Sequence, residues 1–254
     1  MNTLLHQKTA IVTGAGQGIG FAIARRLARA GAHVLVNDAE RALAEEAVTK
    51  LQQEHLHATA VPGDVGDYRF NDFLVEEAVR LTGRIDIAVA NAGITLFGNF
   101  LSYSSEDFDR VMRVNAGGAF FLTQAAARKM ITLNAGGKII LMSSVTGHQA
   151  HKDLAAYSMS KAGIEMLAKN LVIELASHRI CVNAIAPGAT LTERTTSDTT
   201  YEKTWATLTP TGRASTTDDI AEAALFLASP SSDQITGQTF VIDGGWSSVS
   251  PSPY

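Results

Sequence analysis

Apolar residues fall along this chain in two alternating rhythms. Short aliphatic or β-branched runs read as strands buried on both faces: Thr9–Thr13, His33–Asn37, Ala58–Val61, Ile85–Ala90, Lys138–Met142, Ile180–Ile185 and Thr239–Ile242. Between them, apolar positions recur at helical spacing, as Ile23, Leu27 and Ala30 do before Gly31. Further helices are predicted over Ala39–Glu54, up to Thr82 before Gly83, from a Ser104 cap to about Ile131, over Leu154–Ser177, and from Thr216 to about Ala228. Asp107, three residues past Ser104, makes a variant of the capping box. Strands alternating with helices predict one α/β domain with a parallel sheet, with no internal repeat or linker.

Two stretches break the rhythm. Asn115-Ala116-Gly117-Gly118 puts poor helix formers inside a predicted helix, which marks either a functional position or close helix–sheet packing through the glycines. Ala189–Thr211 is polar, rich in Thr and weakly patterned, as lids and binding loops are; a substrate loop is expected at about 189–212. The tail Ser250-Pro251-Ser252-Pro253-Tyr254 reads as loose or as a contact with a partner subunit.

Composition narrows the field. Of 254 residues, 46% are hydrophobic and 18% charged, enough for a large core. The 21 basic and 25 acidic residues leave a net charge of −4, with no footprint for nucleic acid or an anionic membrane. Cys181 is the one cysteine, which excludes an internal disulfide and a cysteine-built metal site; no metal is expected. Its place in Arg179-Ile180-Cys181-Val182-Asn183 reads as core filling in a buried strand. No basic-then-apolar leader opens the chain, and no apolar run approaches the roughly 18 residues of a membrane span. The default expectation is a soluble cytoplasmic protein.

Candidate chemistry sits where strands end. After the first strand comes Thr13-Gly14-Ala15-Gly16-Gln17-Gly18-Ile19-Gly20, then a helix. Strand, glycine turn and helix start are the context for cradling a pyrophosphate, although the spacing departs from Gly-x-Gly-x-x-Gly. Asp38 lies 18 residues after Gly20, placed to accept hydrogen bonds from the adenosine ribose of NAD and to repel a 2′-phosphate. It also precedes a helix, so it reads equally as an N-cap. Asp64 is a second N-cap or an adenine contact, and Asn91-Ala92-Gly93 suits either a ligand crevice or a plain turn. Tyr157 and Lys161, four apart on a helix, share a face. A nearby ammonium favours the phenolate, which makes the pair a candidate general acid/base.

In order along the chain, the Thr13–Gly20 loop, Asn91-Ala92-Gly93, Asn115, Ser144 and Tyr157-x-x-x-Lys161 resemble the short-chain dehydrogenase/reductase family. Pro187-Gly188 and Asp243-Gly244-Gly245 match that family's C-terminal landmarks. The resemblance covers essentially the whole chain. It implies a Rossmann-type, doubly wound parallel sheet of about seven strands with helices on both faces, forming a single NAD(P)-binding domain over residues 1–254. It implies that Tyr157 moves the hydroxyl proton and Ser144 hydrogen-bonds the substrate oxygen. Ser143 does not keep the thirteen-residue spacing to Tyr157. The resemblance further implies that Lys161 lowers the Tyr157 pKa and holds the nicotinamide ribose, and that Asn115 supports a water leading to Lys161. By the same resemblance Gly14, Gly18, Ile19, Gly20, Asp38, Asp64, Val65, Asn91, Gly93, Pro187, Gly188, Thr190 and Thr192 lie along the coenzyme.

Ala90 stands where many relatives have Asn, and Gly147–Asp153 is polar where many are apolar. His148, Gln149, His151 and Asp153 there are either substrate contacts, Gln149 foremost, or a solvated loop. The resulting expectation is an NAD-dependent oxidoreductase interconverting a secondary alcohol and a ketone, with a polyol or sugar substrate as in a glucose dehydrogenase. The alternatives are a 3-oxoacyl-carrier-protein reductase and a non-catalytic, coenzyme-binding scaffold. Relatives commonly form homotetramers; Ala119, Ala125, Ala126 and Ala127 would either support such helix contacts or pack on the sheet.

Overall fold

The computed structural model describes residues 4–195 and 197–249; the Ser250–Tyr254 tail lies outside them. Its strands are β1 (Thr9–Val12), β2 (His33–Val36), β3 (Ala58–Ala60), β4 (Ile87–Ala90), β5 (Gly137–Met142), β6 (Ile180–Pro187), β7 (Thr190–Leu191), β8 (Ser215–Thr216) and β9 (Thr239–Ile242). Its α-helices are α1 (Gly18–Arg29), α2 (Arg41–Gln53), α3 (Tyr68–Thr82), α4 (Ser105–Val111), α5 (Gly118–Thr132), α6 (Ala155–Leu175), α7 (Tyr201–Leu208) and α8 (Thr217–Ala228).

Seven strands form one parallel sheet in the order β3-β2-β1-β4-β5-β6-β9. The side-chain period of two explains the continuous apolar runs, because both faces are covered. Ala10, Val12, Val34, Val36, Ile87 and Val89 point into one core with Leu27 of α1, Leu51 of α2 and Ile220 of α8. Their neighbours Ile11, Leu35 and Ala88 point into the other, with Leu74 of α3, Leu122 of α5 and Ile164 of α6. Val12 lies beside Val36 on one side and Val89 on the other. The connections therefore diverge between β1 and β4, which opens a crevice at the carboxyl ends of the strands. The doubly wound sheet of the family resemblance is present as expected.

Several local expectations change. Helix α2 starts at Arg41 with Glu40 as its N-cap, so Asp38 is free of that role. Asp67, not Asp64, caps α3, accepting from Arg69 N. Ser104 caps α4, accepting from Asp107 N, but the long helix is interrupted by a π-helical turn at Met112–Gly117. The weakly patterned 189–211 segment contains β7, paired in parallel with β8, and helix α7. Cys181 is only half-buried and lies 3.7 Å from Lys138 Nζ, because its strand neighbour carries a long cation on the same face. Ala119, Ala125, Ala126 and Ala127 are buried in the core on one face of the sheet.

Candidate active site

A cleft of about 500 Å³ opens at the crevice, with the glycine turn as its floor. Gly14 and Gly18 sit at φ +59° and +60°, the left-handed region that favours glycine. A side chain on Gly20 would place its Cβ 2.2 Å from Gly14 O and 2.5 Å from Asn91 Nδ2. Asn91 Nδ2 donates to Thr13 O (2.8 Å) and Gly14 O (3.0 Å), while Thr13 Oγ1 accepts from Asn91 N and Ala92 N (both 3.1 Å). The end of β4 thus holds the turn in shape. Gln17, the N-cap of α1, makes no side-chain cap, and no acidic residue occupies the first turn. Those N–H groups face the cleft with the positive end of the helix, a chemistry that fits a dinucleotide pyrophosphate.

Asp38 closes β2 on the same wall. Its Oδ2 accepts from Gly16 N (3.1 Å) and its Oδ1 from Glu40 N (3.1 Å). Asp64 is exposed on the cleft, with Oδ1 accepting from Gly66 N (2.8 Å). Ile19, Val65, Gly93, Pro187, Gly188, Thr190 and Thr192 also line the cleft. A Cβ on Gly188 would lie 2.6 Å from Asp243 Cβ, so the Pro-Gly and Asp-Gly-Gly landmarks pack on each other.

The reactive end is built from α6, β5 and the π-helical turn. Ser144, Tyr157 and Lys161 share the cleft. Tyr157 is half-buried as a residue, but its hydroxyl is enclosed, with the polar side chains of Ser144 and Thr95 beside it. Burial pushes the phenol's pKa up; those two polar neighbours and the charge of Arg194 pull against it without reversing it. Lys161 shares the face of Tyr157, as the spacing predicts, but its charge is not among the influences that set the phenol's pKa. Its Nζ donates to Met142 O (2.7 Å) and stands 5.5 Å from the Tyr157 ring centroid, and its own pKa is lowered by burial to about 8.

Ser143 Oγ donates to Lys161 O (3.0 Å) and to Glu165 Oε1 (2.9 Å), which in turn meets His148 Nδ1 (3.0 Å). Ser144 Oγ instead accepts from Thr146 N (3.2 Å) and Thr146 Oγ1 (3.1 Å), and remains beside the phenol. Asn115 is fully buried behind the cleft. Its Oδ1 accepts from Ile94 N (2.8 Å), and its Nδ2 donates to Ile94 O (3.0 Å) and Ser160 Oγ (3.1 Å). The glycines of the Asn-Ala-Gly-Gly run do pack closely, but on α3 and Val65 rather than on the sheet. Side chains on Gly117 and Gly118 would collide with Tyr68 Oη (2.4 Å) and Val65 Cγ2 (2.8 Å), and the π turn orients Asn115.

Gln149 is not brought to the cleft: it is half-buried, with its N donating to Val145 O (2.9 Å). His148 is occupied by Glu165, and His151 is exposed, its Nδ1 paired with Lys152 O. The cleft instead gains Thr95, Arg194 and Tyr201. Thr95 lies two residues past Asn-Ala-Gly, a usable signal. Arg194 and Tyr201 carry none, because they reach the site through the course of the 189–211 segment.

An open parallel sheet with an anion cradle at its switch point and an enclosed phenol beside it defines a nucleotide-binding oxidoreductase. Comparison with known proteins agrees. Residues 14–247 match a family model described as enoyl-(acyl carrier protein) reductase. Versicolorin reductase 1 of Aspergillus parasiticus is 38% identical over 96% of this chain and 98% of its own. The 5-keto-D-gluconate 5-reductase of Escherichia coli is 36% identical over 96% and 98%. A gluconate 5-dehydrogenase from Burkholderia cenocepacia, solved with NADP and tartrate, superposes with a TM-score of 0.91 at 34% identity, covering 98% of both chains. The chain belongs to the short-chain dehydrogenase/reductase family, and it is an oxidoreductase acting on CH–OH groups.

Proposed function

We propose that the protein is an NAD-dependent oxidoreductase that interconverts a secondary alcohol, a sugar or polyol hydroxyl among them, with the corresponding carbonyl. The observation that carries this is the Tyr157 hydroxyl, enclosed between Ser144 and Thr95 in the same cleft as the glycine cradle. Bound there, a nicotinamide dinucleotide supplies the hydride acceptor or donor. Ser144 holds the substrate oxygen and Tyr157 exchanges its proton. Lys161, on the same helix face, bonds the coenzyme ribose, and Asn115 fixes Ile94 and Ser160 so that both walls keep their spacing. Burial keeps the Tyr157 proton in place at neutral pH, so the phenol is ready as the acid of carbonyl reduction. Alcohol oxidation needs the phenolate and should gain with rising pH.

Preference for NAD over NADP rests on Asp38, whose carboxylate stands at the ribose end of the cleft. The nearest following cation, Arg41, is paired with Glu45 (3.2 Å). The chain works as one coenzyme-binding domain whose 189–212 segment covers the substrate. Homotetramers in the cytoplasm fit an unpartnered stripe on α6: Met159 (55% exposed), Met166 (53%) and Ile173 (87%) recur every seven residues, with Phe120 (43%) of α5 also exposed. Among the described residues, no helix is long and apolar enough to cross a membrane.

The test is a panel of secondary alcohols, polyols and ketones with both coenzymes, run on the wild type and Tyr157→Phe. Turnover should fall by at least about 100-fold in the variant, while NADH fluorescence reports unchanged binding. Unchanged turnover rules out the acid/base role. Light scattering at the monomer mass rules out the tetramer.

A further inference from the structure

Resting on the oxidoreductase reading, the geometry of Arg194 addresses the substrate's chemical class. Its charge is the one that reaches the Tyr157 hydroxyl, and it lines the same cleft as Thr95 and Ser144. Its backbone is fixed. Thr195 Oγ1 accepts from Thr192 N (2.8 Å) and donates to Thr192 O (2.9 Å), and β7 is paired with β8. The neighbouring Glu193 reaches the other way, with Oε2 3.6 Å from where a Cβ on Gly18 would lie. Arg26, Arg29, Arg80, Arg84 and Arg213 are each matched to a carboxylate of the chain. Arg110 and Arg194, both on the cleft, have no ion pair among the described residues, and of the two it is Arg194 whose charge reaches Tyr157.

We infer that Arg194 recognises a carboxylate, and that the substrate is a polyhydroxylated hydroxy or keto acid rather than a neutral sugar or an apolar ketone. Arg194 is exposed at the cleft, so a ligand seated against it would cover a cation that water otherwise solvates. A neutral polyol would leave a desolvated cation unmatched, whereas a carboxylate accepts its planar fork in two parallel hydrogen bonds. Discrimination of this kind is steep, because the wrong substrate leaves a buried polar group unpaired. Thr95 supplies hydrogen bonding to hydroxyls next to the reacting carbon.

The experiment compares C4–C6 aldonates with alditols of the same configuration, using the full chain and both coenzymes, in the wild type, Arg194→Gln and Arg194→Lys. The wild type should prefer the aldonate in kcat/KM by about 10- to 100-fold. Arg194→Gln should erase most of that preference through the aldonate KM, Arg194→Lys should keep part of it, and NADH affinity should stay within about twofold. Loss of Arg194 also removes a charge from beside Tyr157, which would slow both substrates alike and shift the pH profile; only the ratio between substrates reports recognition. Equal loss on both substrates, a wild type that prefers alditols, or weakened NADH binding alone overturns the inference and leaves the oxidoreductase reading standing. A wild type that oxidises no member of either series, and reduces no ketone, defeats the reading beneath it.

Discussion

Replacing Lys161 by Met should make the protein more stable and inactive. Lys161 is 3% exposed, and its ammonium has one hydrogen bond, to Met142 O at 2.7 Å. Burial lowers its pKa from 10.5 to about 8. That fall corresponds to roughly 3 kcal/mol against the charged form. A group with a lowered folded pKa binds fewer protons folded than unfolded between about pH 8 and 10.5, so its penalty is complete below that window and fades as pH rises through it. Methionine fills a similar volume without the charge, and loss of the bond to Met142 O offsets roughly 1 kcal/mol. The expected net gain at pH 7 is therefore about 2 kcal/mol, shrinking to near zero or reversing by pH 10. Urea unfolding of the coenzyme-free protein at fixed protomer concentration, at pH 7, 8.5 and 10, measures it. A variant less stable at pH 7, or a gap that ignores pH, would refute the burial argument. Turnover in the variant should fall by more than about 100-fold, because no cation faces the coenzyme ribose.

Three further changes probe other parts. Asp38→Asn keeps an acceptor for Gly16 N but removes the charge, so the NAD-to-NADP ratio of kcat/KM should fall at least about tenfold; an unchanged ratio denies Asp38 its role in coenzyme choice. Gly20→Ala drives a Cβ to 2.2 Å from Gly14 O, where neither backbone nor Asn91 has room to yield. Coenzyme affinity by fluorescence should drop at least about tenfold, with a stability loss of about 1–3 kcal/mol. Asp86 is 6% exposed and accepts from Lys8 Nζ, Thr9 N and Arg84. Burial raises its pKa, but Arg84, the Thr9 N–H and Lys8 outweigh that and hold it below the ordinary carboxylate value. Its contribution is thus present above that value and lost as pH falls through the folded one; Asp86→Asn should cost about 2 kcal/mol at pH 7 and markedly less in acid-range denaturation.

Reductases of this family act on ligands as different as versicolorins and keto-gluconate, according to the names of the two curated relatives. The coenzyme half of the cleft, from Gly14 to Asp38, is built from one β-α-β stretch and is a local matter. The substrate half gathers residues from β4, β5, α6 and the 189–211 segment, and this is where such proteins can diverge.

Much was decided by the sequence alone, for a physical reason: the elements are local. Apolar runs buried on both faces, glycines at the φ +59° and +60° turn, and the i, i+4 spacing of Tyr157 and Lys161 need nothing beyond nearby residues to declare themselves. Only the tertiary structure decided what the site's groups touch. It turned Lys161 toward Met142 O, buried the Tyr157 hydroxyl and raised its pKa, tied His148 to Glu165, and kept Gln149 away while bringing Arg194 in. Those outcomes depend on burial and on partners tens of residues distant, and desolvation is a property of the packed molecule that no spacing along a chain encodes.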